Sequence, residues 1–293
     1  VGGYLLFGRD FKDKTAQQVR DDIQSYQDAS GIPLLIGTDE EGGTVVRASS
    51  NPDLFPQREP APQTLFAQGG MDLILQDARQ KSMTLLDLGV NVNFAPVADV
   101  SAGASSVIGS RSFGTDAQLC ASLVGVMTGS IQTGGIIPCL KHFPGYGSAT
   151  VDDHNGTSIV EKTLSELEGC DLVPFQSIIA SEGSVPFVMV SHLSYPNVTG
   201  SDTPADLSAS IVTDILRDKL DYQNVIITDH YSAGDAAVKA LAAGCDMILM
   251  PSDLQAAFDA VKAAVADGTL SQARIDESVL RILTVKAEYG IIS

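Results

Sequence analysis

Residues 141–158, KHFPGYGSATVDDHNGTS, place a cation, two imidazoles and two carboxylates in one short stretch directly after an apolar run. Asp152 and His154 stand two positions apart, so their side chains lie on the same side of an extended loop. A carboxylate that accepts a hydrogen bond from one imidazole nitrogen fixes the tautomer and leaves the other nitrogen free for proton transfer. Such a histidine serves as an acid in one step and as a base in the next. On this fragment alone, a solvated polar loop is the simpler interpretation.

Polar residues also follow several apolar runs elsewhere in the chain, at the points where buried strands would end. In parallel α/β barrels, chemistry collects at the C-terminal ends of the strands. Five such ends carry charge or imidazole, and we expect them to converge on one mouth. They are Asp39-Glu40-Glu41, Asp99, Lys141-His142, His192 and Asp229-His230.

Two classes of chemistry use such a set. Glycoside cleavage needs a nucleophile or base on one side of the bond and an acid on the other. A metal-dependent hydrolase needs histidine and aspartate ligands around zinc or a similar ion. The chain contains neither HxH nor HExxH, so glycoside cleavage is favoured and no metal site is predicted.

The elements that would position these residues alternate between strand-like and helical patterns. Near-continuous apolar runs are typical of strands buried on both faces of a parallel sheet. Seven such runs occur: residues 4–8, 33–38, 90–100, 136–143, 186–192, 224–230 and 245–251. Helices are predicted after Thr15, over Met71–Leu88, from Thr163 to about Ile179, and around 275–285. The alternation predicts a (β/α)8 barrel with one strand unaccounted for.

The composition restricts the class of partner. The chain carries 36 acidic and 18 basic residues, a formal charge of −18. This charge argues against nucleic acid and anionic membrane surfaces, both of which attract Lys and Arg, and favours a neutral substrate. No apolar run approaches the roughly 20 residues that a membrane helix needs, so no membrane insertion is predicted. The four cysteines form no CxxC pair and are interpreted as free thiols.

Several motifs along almost the whole chain resemble glycoside hydrolase family 3, specifically its β-N-acetylhexosaminidase branch. KHFPGYGSATVDDH is similar to the KHFPGHG-x4-D-[ST]-H signature of that branch. The blocks VGGYLLFGRD, GTDEEGGTVVR, VNFAPVADV, VIGSRSFGTD, VIITDH and AAGCDMILMP follow in family order. The resemblance implies a single-domain, TIM-like (β/α)8 barrel over residues 1–293.

The resemblance also implies the role of individual residues. Asp229 matches the nucleophile that forms a covalent glycosyl ester, and His154 matches the general acid/base with Asp152 as its partner. Further positions match residues that hold the hydroxyls and acetamide of a terminal N-acetylglucosamine: Asp39, Arg47, Arg111, Lys141 and His142. Members of the family retain the β configuration and need neither a metal nor an organic cofactor.

This sequence departs from the family pattern at three points. Tyr146 stands where histidine is common, and His230 follows the nucleophile where the branch usually has aspartate. The family normally has a strand and a helix before the VGGYLLFGRD block, so we expect the natural protein to extend upstream of Val1. An exported or cell-surface location is favoured over the cytoplasm, and the sequence does not indicate an oligomeric state.

The leading hypothesis is an exo-acting β-N-acetylglucosaminidase that acts on peptidoglycan fragments or chitooligosaccharides. A β-glucosidase or β-xylosidase of the same family is the nearest alternative. Phosphorolysis is a further alternative, because a neutral imidazole base tolerates an anionic acceptor. A non-catalytic sugar-binding barrel is the alternative from another class, although a binder would not require Asp152, His154 and Asp229 together.

Overall fold

Six parallel strands form one sheet in the computed structural model, which describes residues 2–103, 106–149, 158–181, 185–230 and 236–293. The strands are β1 (Gly3–Leu6), β2 (Leu35–Thr38), β3 (Val92–Asn93), β4 (Ile137–Phe143), β5 (Phe187–Val190) and β6 (Val225–Thr228). They lie side by side in chain order, and all neighbours are parallel. Six of the seven predicted runs therefore contain a strand, since each supplies enough apolar side chains to be covered on both faces.

The predicted closed eight-stranded barrel is wrong. Within the described residues, the sheet is open between its edge strands β1 and β6. An apolar cavity of about 620 Å³ lies in the gap, and its walls include Tyr4 from β1, Ile227 from β6, and Met247. Closure needs every strand edge to find a neighbour, and the strands found among the described residues do not complete that circle.

The seventh predicted strand, residues 245–251, reduces to one parallel bridge between Ile227 and Met247. After Met247 the ladder stops, because the next bond, from the Leu249 N–H, goes to the Thr228 side chain at 3.0 Å. Met250 then adopts a left-handed conformation with φ of 47°, which breaks an extended run. Pro251 also lacks the N–H that a continuing ladder would need.

Helices pack around the sheet, most of them against its outer face, while the last helix contributes Val285 to the apolar cluster on the inner face. They are α1 (Gly8–Phe11), α2 (Ala16–Asp28), α3 (Pro62–Asp87), α4 (Ala117–Thr133), α5 (Leu164–Gly169), α6 (Val173–Ile179), α7 (Pro196–Thr199), α8 (Ala236–Ala243), α9 (Leu254–Asp267) and α10 (Gln272–Glu288). A helix with π-type hydrogen bonds spans Ser210–Lys219, and 3-10 turns occupy Ala48–Ser50, Gly109–Arg111 and Ala205–Leu207.

The helix signals in the sequence match these elements closely, with two differences. The helix predicted over Met71–Leu88 is the second part of α3, which begins at Pro62 and has non-helical backbone at Gly69 and Gly70. Thr15 caps α2, and its hydroxyl accepts the Gln18 N–H. Thr163 opens α5, where the predicted helix starts, through a capping box with Glu166. The single helix predicted from Thr163 to about Ile179 is divided into α5 and α6. Pro174 lies in the first turn of α6, where its missing N–H costs no hydrogen bond.

Alternate side chains of the strands belong to two apolar clusters. Leu35, Phe187 and Ile227 pack on the inner, concave side. Their neighbours along the strands, such as Ile36 and Ile226, pack with the helices. Because the side-chain period of a strand is two, this parity also determines which residues beyond each strand end face inward.

Candidate active site

Three predicted site residues continue the inward-facing rows of the strands. Asp39 lies four positions after Leu35, Lys141 two positions after Cys139, and Asp229 two positions after Ile227, which are all inner-cluster residues. A period of two therefore directs all three side chains to the space above the inner core. These positions are at the C-terminal end of the sheet, where the sequence predicted convergence.

The side chains meet around a cavity of about 340 Å³. This volume lies within the range of small-molecule pockets, roughly 300–1,000 Å³. Six predicted site residues line it: Asp39, Arg47, Arg111, Lys141, His142 and Asp229. The other walls are Leu5, Phe7, Glu41, Val45, Val107, Tyr146, Met189, His230, Leu249 and Met250.

Two carboxylates bind three cations along one wall of this cavity. Lys141 Nζ lies 2.8 Å from Asp39 Oδ1 and 2.6 Å from Glu41 Oε1. Arg111 holds the same Glu41 through two bonds, Nε to Oε2 at 2.8 Å and Nη2 to Oε1 at 2.9 Å. Arg47 Nη2 lies 3.7 Å from Asp39 Oδ2. The wall is therefore an array of carboxylates and cations that are paired with one another.

Burial and charge act in opposite directions on the members of this network. Burial tends to raise the pKa of Glu41, but Lys141 and Arg111 outweigh it and lower the pKa to about 2. Burial tends to lower the pKa of Lys141, but Asp39 and Glu41 raise it above its ordinary value. Glu41, Lys141 and Arg111 are thus charged at neutral pH, which suits the recognition of neutral hydroxyl groups.

His142 is oriented by a buried carboxylate. Its Nδ1 lies 2.8 Å from Asp99 Oδ2, and its backbone N–H donates to Asp99 Oδ1 at 3.1 Å. Because a carboxylate accepts, Nδ1 carries the proton and Nε2 is the nitrogen left for a ligand. The Tyr146 N–H also donates to Asp99 Oδ1, at 2.7 Å. One buried aspartate therefore holds both the imidazole and the start of the loop that follows β4.

Two local features bring this part of the chain into the cavity. The register of β4 against β5 shifts between Leu140 and Phe143, and the consecutive residues Lys141 and His142 both line the cavity. Beyond them the loop lies against the segment that follows β3, since a Cβ on Gly147 would sit 1.7 Å from the Val100 carbonyl oxygen. Only glycine permits that approach.

Arg47 has unused hydrogen-bonding capacity at the cavity. Its Nη1 donates to the Val46 carbonyl at 3.3 Å, and its guanidinium lies 5.7 Å from the centre of the Phe7 ring. Its Nε is buried and has no hydrogen-bond partner within the described part of the chain. A buried donor without an acceptor is costly, and the described residues do not hold the Arg47 guanidinium by hydrogen bonds on all of its nitrogens.

Asp229 is half-buried, and its side chain lines the cavity. Its backbone N–H donates to the Val190 carbonyl at 2.9 Å, which ties the end of β6 to β5. Its Oδ1 accepts the His230 N–H at 2.7 Å. The carboxylate is thus fixed at one oxygen. His192, the histidine at the end of β5, instead contacts Asp206 at 2.9 Å and does not line the cavity.

The predicted acid/base pair lies outside the described residues. Asp152 and His154 both fall in 150–157, so their assignment stays a prediction. The structure also brings Glu41, Asp99 and Tyr146 to the site. The strand-end pattern had included Glu41 and Asp99, but the resemblance assigned no role to any of the three.

Two further observations concern metals and membranes. Among the residues that the structure describes, no three His, Cys, Asp or Glu side chains are grouped to hold a metal ion. No helix in the same ranges combines the length and the apolar character needed to cross a bilayer.

Comparison with known proteins gives the family. Residues 1–285 match the glycosyl hydrolase family 3 N terminal domain. The chain belongs to glycosyl hydrolase family 3. It is 33% identical over 273 residues to the beta-hexosaminidase LpqI of Mycobacterium tuberculosis, covering 87% of this chain and 68% of that protein. The predicted family, its β-N-acetylhexosaminidase branch and the enzyme class, a glycoside hydrolase, are confirmed.

Solved structures of family 3 enzymes have the same fold as this chain. A β-N-acetylglucosaminidase from a Paenibacillus species superposes with a TM-score of 0.91 at 33% identity, over 99% of this chain and 57% of that protein. A fungal multi-domain β-N-acetylglucosaminidase gives a TM-score of 0.91 at 30% identity, over 98% of this chain and 36% of that protein. This family 3 chain therefore spans little more than half of the Paenibacillus protein and about a third of the fungal protein.

Proposed function

We propose that this chain is the catalytic part of a retaining exo-β-N-acetylglucosaminidase, with residues 1–293 acting as one unit. Its substrates would be peptidoglycan fragments or chitooligosaccharides with a terminal β-linked N-acetylglucosamine. The observation that carries the proposal is that Asp229 shares one cavity with the cation-rich wall of Arg47, Arg111 and Lys141. The relatives that are named β-hexosaminidase or β-N-acetylglucosaminidase support the choice of sugar.

The proposed first step forms a covalent intermediate. An Asp229 carboxylate oxygen attacks the anomeric carbon as the glycosidic C–O bond breaks, and His154 donates a proton to the leaving oxygen. The donors of Arg47 and Lys141 hold the ring hydroxyls while positive charge develops on the sugar. Nε2 of His142 is available for a further polar group of the substrate.

The second step releases the sugar. His154, now neutral and held by Asp152, removes a proton from water, and the water oxygen attacks the anomeric carbon. The ester bond to Asp229 breaks, and two inversions restore the β configuration. A histidine in place of a second carboxylate avoids a second full negative charge beside Asp229, which would raise the pKa of either acid.

Trapping the intermediate tests sugar, mechanism and nucleophile together. A 2-acetamido-5-fluoro-glycosyl fluoride should label the protein once, and peptide mass mapping should locate the label on Asp229. Labelling at another residue would refute the assignment of the nucleophile. If the protein binds N-acetylglucosamine but is not labelled, a non-catalytic sugar-binding protein would be favoured.

Substrate assays separate the related activities. The chain should cleave nitrophenyl β-N-acetylglucosaminide in preference to the β-glucoside and the β-xyloside. Cleavage of the glucoside alone would refute the sugar assignment. Added phosphate should leave N-acetylglucosamine as the product, whereas a sugar phosphate would indicate phosphorolysis. Activity should survive exhaustive chelation, which a metal-dependent hydrolase would not. The exported or cell-surface location stays a prediction.

A further inference from the structure

Glu40 lies between two residues of the cavity wall but does not belong to that wall. Asp39 and Glu41 line the cavity, and Glu40 does not. It is fully buried, with 0% of its surface exposed. Its backbone is held by Asn93, whose side chain accepts the Glu40 N–H at 3.0 Å and donates to the Glu40 carbonyl at 3.1 Å. Alternation along the chain therefore turns this carboxylate away from the sugar site.

The Glu40 carboxylate binds one short segment of chain through four hydrogen bonds. Oε2 accepts the backbone N–H groups of Arg47 at 2.9 Å, Ala48 at 2.7 Å and Ser49 at 3.3 Å. Oε1 accepts the Ser49 hydroxyl at 2.5 Å. A buried carboxylate is tolerated only when it is well supplied with donors, and here one segment supplies all four.

That segment carries Arg47. The chain returns to Glu40 through a tight turn at Gly42, whose φ is 105° and where a Cβ would lie 2.1 Å from the Pro60 carbonyl oxygen. The contacts of the Arg47 side chain are weak by comparison, with its closest approach to Asp39 at 3.7 Å. The position of the guanidinium is therefore determined mainly by its backbone, and the backbone is held by Glu40.

We propose that Glu40 is a positioning residue for Arg47, acting through hydrogen-bond acceptance and not through its charge. This inference rests on the proposed function, in which Arg47 holds the terminal sugar. Glu40 touches neither the cavity nor a substrate within it. Its removal should change how well Arg47 reaches the sugar and leave the remainder of the catalytic machinery in place.

The geometry predicts different results for two substitutions. In Glu40→Gln, the carbonyl oxygen replaces Oε2 for the three N–H groups, and the NH2 group donates to the Ser49 hydroxyl, which has lone pairs to accept it. In Glu40→Ala, three N–H groups and one hydroxyl lose their acceptor. The loss of positioning should lower kcat/KM by about 10- to 100-fold in the alanine variant, mainly through KM.

The test compares these variants on nitrophenyl β-N-acetylglucosaminide. Glu40→Gln should stay within about threefold of the wild type in kcat/KM. In an Arg47→Ala background, Glu40→Ala should add less than about twofold, because the residue through which it acts is gone. Asp116→Ala is the matched control. That carboxylate accepts two backbone N–H groups at the start of α4, away from the cavity, and KM should not change.

Three results would overturn the inference. Equal losses in Glu40→Gln and Glu40→Ala would indicate a role for the charge, and a full additional loss in the Arg47→Ala background would indicate independent action. Crystal structures of the wild type and Glu40→Ala give the third criterion, which needs no activity. If the Arg47 guanidinium has the same position in both structures, Glu40 does not position it. Failure of the wild type to cleave the sugar is a separate result, which refutes the proposed function and not the positioning role.

If Glu40→Ala does not fold, Ser49→Ala removes one of the four hydrogen bonds and should raise KM about twofold to fivefold. An unchanged KM would contradict the inference.

Discussion

Replacing Lys141 with methionine removes the central charge of the site at nearly constant side-chain volume. The ammonium group bridges Asp39 and Glu41, and its side chain is only 3% exposed. Without it, two carboxylates would share a largely buried wall with Arg111 and Arg47. Breaking a buried ion pair by removing one partner costs about 3–5 kcal/mol, because an uncompensated charge stays behind.

The pKa of Glu41 gives a second measure of this effect. It falls from 4.5 to about 2 on folding, although burial alone would raise it. That fall corresponds to about 3 kcal/mol, at roughly 1.4 kcal/mol for each tenfold change in proton affinity. Because the folded pKa is lowered, this stabilisation is present above pH 4.5 and is lost as the pH falls toward 2. Lys141 and Arg111 supply it together, so the expected loss is again a few kcal/mol.

Urea denaturation of the wild type and Lys141→Met at pH 7 measures the difference. Lys14→Met is the matched control, since Lys14 pairs with Asp22 at 2.6 Å but both side chains are substantially exposed, at 32% and 46%. An exposed pair contributes about 1 kcal/mol or less. The difference in free energy of unfolding between the wild type and Lys141→Met should also become smaller as the pH falls, because Glu41 takes up a proton at a higher pH in the variant. A loss no larger than that of Lys14→Met would refute this account of the network.

Three further predictions concern the proposed catalytic groups and a buried cluster. Asp229→Asn should lower kcat by about 10³-fold or more with an unchanged circular dichroism spectrum, because the nucleophile is lost from a half-buried strand end; near-normal turnover would exclude it as the nucleophile. His154→Ala should lose about 10²- to 10⁴-fold on a chitooligosaccharide and less on a nitrophenyl glycoside, whose leaving group needs little protonation; equal losses would argue against an acid role. Burial raises the pKa of Glu59 to about 8 against the opposing charge of Lys81, so the wild type loses stability as the pH rises from 4.5 to 8. The Tm of Glu59→Gln minus the Tm of the wild type should therefore increase as the pH rises from 4.5 to 8. A Tm difference that does not vary with pH would contradict the raised pKa of Glu59.

The local elements of this protein followed from short stretches of sequence. The helices predicted after Thr15 and from Thr163 begin beside those residues, because each threonine side chain accepts a hydrogen bond from an N–H group only three residues away. The apolar runs predicted strands because a strand with both faces covered needs apolar residues on both. The strand ends also predicted most of the polar residues that gather, since side-chain parity is a local property; His192, which contacts Asp206 and does not line the cavity, is the exception among the five strand ends.

The sequence alone did not determine where the last strand of the sheet lies or which charged residues form ion pairs. Residues 245–251 are as apolar as a strand, yet the ladder stops after Met247, because its continuation depended on a neighbouring edge and not on the run itself. The helix expected from Thr163 to about Ile179 divided at Cys170, whose backbone is not helical, with a φ of −143°. After this break, α6 packs against α4.

The composition of the site shows the same division between local pattern and tertiary structure. Sequence alone placed Asp39, Lys141 and Asp229 at strand ends and, through the family motifs, named the chemistry. It did not show that Glu41 would bind Arg111 from 70 positions away, or that Glu40 would turn its carboxylate under the Arg47 segment. Those outcomes are set by the free energy of burying charge, which favours whichever partners the folded chain brings within hydrogen-bonding distance.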